Sequence, residues 1–153
     1  MTTTTETRYI KPQSATNFFN DAVGHLTRLG VSIYGSRVLA VRGRKSGEWR
    51  TTPVNPLRLP DGTRYLVAPR GNTQWVRNLR AVGTGELRLG RKVEAFAATE
   101  IDDDAKPAIL RAYLKHWRWE VGVFFDGVNA KAPDSKLREI APGYPVFRVE
   151  PRR

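Results

Sequence analysis

The turn Gly43-Arg44-Lys45-Ser46-Gly47 gathers two glycines, two cations and a hydroxyl into five residues. Glycine permits positive φ, successive backbone N–H groups of such a turn can face one concavity, and Arg, Lys and Ser add charged and neutral donors. These are the parts of an anion site for phosphate or carboxylate. A basic hairpin turn without a ligand has the same composition, so the turn alone leaves both readings open. It is not a P-loop, because that motif needs Gly-Lys-Ser/Thr opening a helix and here a strand is expected to follow.

The charge around this turn is lopsided. Residues 37–92 hold 13 Lys and Arg against 3 Asp and Glu, whereas residues 1–36 hold 3 against 2 and residues 93–153 hold 10 against 10. A single-sign block inside strand-like sequence points to an electrostatic site and an anionic partner. Arg42, Arg50, Arg70, Arg77 and Arg80 supply further cations, and their joint density carries more weight than any one of them. Trp49, Tyr65 and Trp75 interleave with these cations, and such faces either stack planar rings or pack the core.

Other chemistries find little support. The chain has no cysteine, which excludes thiol chemistry and thiolate metal sites. Its two histidines, His25 and His116, have no partner at ligand spacing and build no Ser/His/Asp arrangement. The side chains of Asp102, Asp103 and Asp104 diverge, so this run reads as a helix start and not as a metal site. No metal is expected, and no residue stands out as catalytic; a bound cofactor is the better candidate for difficult chemistry.

The elements that must position these residues form one domain. We expect a flexible leader over residues 1–12 and a single domain over 13–153, in a cytoplasmic protein without a signal or membrane span. Ser14 can cap an amphipathic helix through Phe18, Phe19, Ala22, Val23, Leu26 and Leu29 that ends at Gly30. Its polar face is nearly free of cations, so core packing is favoured over contact with a membrane surface. From Arg37 to Ile101, short β-branched and aromatic runs separated by turns predict five antiparallel strands, enough for a small barrel. Pro53 and Pro56 require the second run, Trp49 to Leu59, to lie at an edge or to bend. One helical turn is expected through Trp75 to Leu79, a helix from about Ala105 to Trp119, a short helix over Lys136 to Ile140 and a last strand over Pro145 to Val149. The fold class is α+β, mainly β.

Three blocks carry a resemblance: Gly43 to Val54, Tyr65 to Gly71 and Gln74 to Leu79. Together they resemble the deazaflavin-dependent nitroreductase family of actinobacteria, strongly over residues 33–101. The resemblance implies a split β-barrel with an N-terminal helix and C-terminal helices packed on it, and reduced coenzyme F420, a deazaflavin with a phosphate and an oligoglutamate tail, as cofactor. It implies that Gly43, Arg44, Lys45, Ser46, Gly47 and Arg50 hold the phosphate and tail, with Arg70 as a further cation after the third strand. Thr52, Pro53, Val54, Ala68 and Pro69 would line the ring, and Trp75 and Asn78 would close the side of the pocket. The implied reaction is hydride transfer to a small planar acceptor: a quinone, a nitroarene or an activated alkene. Asn55 would face the substrate, and Tyr113, Trp117 and Phe124 would form its wall unless these aromatics pack the second helix on the barrel.

Two other readings stay open: a basic β-barrel that binds single-stranded nucleic acid, and the same barrel holding FMN. The three blocks match a cofactor family and no nucleic-acid signature, so a small-molecule partner is expected and nucleic acid is not.

Overall fold

The computed structural model describes residues 36–125 and 127–152, with residues 118–123 described by their backbone alone. The expected opening helix and His25 lie outside the described residues. Seven strands form a single antiparallel sheet: β1 (Arg37–Arg42), β2 (Trp49–Val54), β3 (Leu57–Arg58), β4 (Arg64–Val67), β5 (Thr84–Leu89), β6 (Lys92–Glu100) and β7 (Val146–Pro151). Among the described residues three α-helices accompany it: α1 (Gln74–Val82), α2 (Lys106–Val121) and α3 (Asp134–Ile140).

The strand order β2-β1-β5-β6-β7-β4-β3 puts β2 and β3 at opposite edges. Yet only Asn55 and Pro56 separate them in the chain, so Val54 and Leu57 are at most about 10 Å apart. The sheet must therefore curl until its two edges nearly meet. Trp49 to Arg58 acts as one bent strand, its first half paired with β1 and its second with β4. The expected run Trp49 to Leu59 thus becomes two strands, and the region holds six in place of five. Proline is the cause: Pro53 offers no ladder N–H and sits on an edge, and Pro56 stands at the bend. Because β3 is only two residues long, no described strand fills the gap between β2 and the C-terminal half of β4.

Alternation along the strands sends side chains to two cores. Leu39, Val41, Leu66, Leu87, Phe96, Phe147 and Val149 fill the barrel interior together with Val76 and Leu79 of α1. Leu57, Val67 and Val146 face outward against Leu110, Tyr113, Leu114 and Trp117 of α2, Leu137 of α3, and Phe125 and Tyr144. Phe125 stacks on Tyr144 with centroids 4.2 Å apart.

The first helix is longer than the single turn expected. It runs from Gln74 to Val82 and ends at Gly83, whose φ of 80° forms a left-handed cap. The acidic run opens a 3-10 turn at Asp103–Ala105 ahead of α2, with no side-chain cap from Asp102. Lys106 is buried there and donates to the Ala141 carbonyl at 3.1 Å while pairing with Asp103 at 2.7 Å, so its charge is not left bare. In the turn between β3 and β4, the Thr63 N–H donates to Asp61 at 2.9 Å and holds that carboxyl below its usual 3.8. The charged form therefore favours folding above about 3.8, and that contribution is lost as pH falls through the lowered value. In Asp61→Asn, a plot of unfolding midpoint against pH should be flatter on the acid side than in the wild type.

Candidate functional site

Gly43 to Glu48 joins β1 to β2 as a closed loop. Gly43 N–H donates to the Glu48 carbonyl at 2.8 Å, and Gly47 N–H to the Gly43 carbonyl at 2.9 Å. Gly47 has a φ of 73°, a value that a side chain would strain, which explains a glycine at the end of the turn. The Ser46 hydroxyl accepts from Glu48 N–H at 3.2 Å and keeps its own proton for a further acceptor. Lys45 and Ser46 are exposed at the tip.

This turn is docked on α1. Arg44 donates its backbone N–H to Asn78 Oδ1 at 3.1 Å and its Nη1 to the same oxygen at 2.7 Å and to Gln74 Oε1 at 3.1 Å. Gln74 is the first residue of α1, so the cations sit beside that helix's positive end. Thr73 occupies the N-cap position without making a side-chain cap, and its buried Oγ1 has no hydrogen-bond partner among the described residues. First-turn N–H groups of α1 are thus left without a side-chain cap next to two cations. This combination suits an anion.

The second part of the site is β2. Among the described residues its one strand partner is β1, and no described strand pairs its other edge, which borders the gap in the barrel. Arg50, Thr52 and Val54 pair with Val41, Leu39 and Arg37 and share the interior side, whereas Trp49, Thr51 and Pro53 share the outer side. Thr52 and Val54 can therefore present side chains to a ring in the gap, while Pro53 reaches it by backbone alone. Across the gap, Ala68 is fully buried in the interior core, and Pro69 and Arg70 are half-buried. Trp75 packs on that core, 6.0 Å from Phe147. Asn55 is half-buried at the bend of the strand.

Several expected roles change. Tyr113 and Trp117 are only 2% and 4% exposed and belong to the core between α2 and the sheet, the packing role expected as the alternative to a substrate wall. Phe124 is half-buried, with the Arg70 guanidinium 5.3 Å from its ring. The arginines do not converge on one point. Arg42 lies 4.1 Å and Arg88 5.1 Å from the Trp49 ring on the outer side of the sheet, and Arg80 makes two 2.7 Å bonds to Glu100. The missed residues are Gln74 and Thr73; the signal available was the four-residue spacing of Gln74 and Asn78, which places both on one helix face.

A cavity of about 720 Å³ lies at the far end of the barrel, lined by Arg58, Arg64, Arg148, Asp61, Glu94 and Glu150 among others. Its charges largely neutralise one another, Arg64 with Glu94 and Arg148 with Glu150, so it lacks the single-sign field of the basic turn. Among the described residues no cluster of His, Asp or Glu could hold a metal ion, and no helix is long and apolar enough to cross a membrane.

The model of the F420H(2)-dependent quinone reductase family matches residues 14–121, which include the basic turn, β2 and all of α1. The chain belongs to that family. No curated protein matches it significantly. Among solved structures, this family member is similar to the F420-H2 dependent reductase FDR-A, at 19% identity and a TM-score of 0.54 over 76% of this chain and 94% of that one. It is similar also to a protein of unknown function from Agrobacterium tumefaciens, at 20% identity and a TM-score of 0.55 over 94% of this chain and 58% of that one. A third is the heme storage protein HutZ from Vibrio cholerae, at 9% identity and a TM-score of 0.51 over 94% and 92%. At these identities the likenesses establish the fold alone.

Proposed function

We propose that this member of the F420H(2)-dependent quinone reductase family reduces small planar acceptors, a quinone, nitroarene or activated alkene, with reduced coenzyme F420. The observation that carries the reading is the docking of the basic turn on the uncapped end of α1, beside the edge of β2 that no described strand pairs. When bound, the reduced deazaflavin supplies a hydride. The donor set fits its anionic part: Lys45, Arg44 and the Ser46 hydroxyl would hold phosphate and tail together with the first-turn N–H groups of α1.

The ring would lie in the gap, where β2 offers backbone donors and acceptors from one side and Thr52 and Val54 offer a partly apolar surface. Trp75 and Ala68 exclude water from the interior end. The protein's contribution is orientation of two planar partners and a dry contact between them. The three aromatics that could have stacked nucleobases are engaged elsewhere: Trp49 by Arg42 and Arg88, Tyr65 by the outer core, and Trp75 by the barrel core. This favours the cofactor over nucleic acid.

A fluorescence titration with coenzyme F420, run beside FMN and a single-stranded oligonucleotide, tests the reading. Saturable binding of the deazaflavin alone is expected; salt-sensitive binding of the oligonucleotide alone overturns it. Lys45→Ala should weaken deazaflavin binding by about 2 kcal/mol, the size of one hydrogen bond to a charged group. An unchanged dissociation constant removes Lys45 from the site.

A further inference from the structure

Asn78 is 4% exposed, and its Oδ1 accepts both the backbone N–H of Arg44 and that residue's Nη1. One carbonyl oxygen thus fixes both the main chain and the side-chain end of the same residue. Gln74, one turn earlier on the same helix face, accepts from the same Nη1 at 3.1 Å. The carbonyl of Asn78 has two lone pairs, and two Arg44 donors fill them. It has no acceptor capacity left for a ligand.

We propose that Asn78 is a positioning residue that acts through Arg44, locking the basic turn onto α1 before the cofactor arrives, with Gln74 as the second point of the clamp. This rests on the proposed use of the turn for the cofactor's anionic part. The physical reason is preorganisation. A glycine-flanked turn with an arginine inside it has many conformations, and ordering them on binding costs affinity. Two bonds to a buried, rigid helix residue remove much of that disorder in advance. The clamp also holds the Arg44 guanidinium at the N-terminal turn of α1, a placement that would otherwise be opposed by the helix dipole.

The test has one readout without ligand and one with it. In the ligand-free protein, amide hydrogen exchange at Arg44 should accelerate about tenfold in Asn78→Leu and return toward the wild-type rate in Asn78→Asp, which keeps an acceptor. Gln74→Ala, at an exposed position, leaves the helix packing untouched and should loosen only the side chain, with little change at the Arg44 amide. With coenzyme F420, Asn78→Leu should weaken binding about 10- to 100-fold, and Gln74→Ala only a few-fold. In a double-mutant cycle the effect of Asn78→Leu on binding should shrink once Arg44 is alanine, but not vanish, because the backbone N–H of residue 44 still donates to Asn78.

Unchanged exchange at Arg44 in Asn78→Leu overturns the clamp whatever the ligand does. Additive losses in the cycle overturn the positioning role and mean that Asn78 meets the cofactor directly. Failure of the wild-type protein to bind the deazaflavin overturns the proposed function, and with it the clamp's role toward that cofactor, even where the exchange signature is found.

Discussion

Arg44→Ala/Lys45→Ala should bind coenzyme F420 about 10²- to 10⁴-fold more weakly than the wild type, with the fold retained. Each cation, donating to a phosphate or carboxylate oxygen, contributes about 1.5–3 kcal/mol, and both sit on the same loop, so their losses combine. Lys45 is exposed, and removing it disturbs no packing. Arg44 has bonds to Asn78 and Gln74, and its loss also frees the turn from α1. The effect should shrink as salt rises, because exposed charges are screened over about 8–10 Å at ordinary ionic strength. Isothermal titration at two salt concentrations measures both quantities. A double variant that binds as tightly as the wild type at low salt would place the anionic tail elsewhere.

Gly85→Val should cost about 3 kcal/mol of stability or more, a drop of roughly 6–12 °C in melting temperature for a chain of this size. Gly85 lies on β5 opposite Phe96, between β1 and β6. A Cβ there would stand 2.8 Å from Cζ of Phe96 and 2.9 Å from the backbone oxygen of Ala40. The ring is wholly buried in the barrel core, and β1 is held on both sides, by β2 and β5, so neither neighbour can yield cheaply. In a Phe96→Leu background the cost of Gly85→Val should fall only in part, since the Ala40 oxygen remains. Chemical denaturation of the two single variants and the pair decides this; full recovery would locate the strain in the ring alone.

The elements that could be read from the chain are those set by local rules. Short β-branched and aromatic runs separated by turns marked the strands of the barrel, and the run Asp102, Asp103, Asp104 marked the start of α2. The length of α1 was not legible, because Arg77, Arg80 and the flanking glycines dilute its apolar stripe; its burial comes from Val76 and Leu79 entering a core built by distant strands. Nor was the division of Trp49 to Arg58 into two strands at opposite edges, since which edge a strand joins depends on partners far away in sequence.

The chain by itself pointed to the candidate site: the turn of glycines, cations and a hydroxyl, the lopsided charge and the family blocks all lie between residues 37 and 92. Tertiary structure alone decided how that site is made. It sent Tyr113 and Trp117 into the core between α2 and the sheet. It drew Arg42 to Trp49 and Arg80 to Glu100, so that a block of cations in sequence is not a cluster in space. It also set Asn78 beneath Arg44, across 34 residues of chain. The physical reason is that charge and turn chemistry are local properties of the residues, whereas burial and hydrogen-bond partners depend on which surfaces the curled sheet brings together.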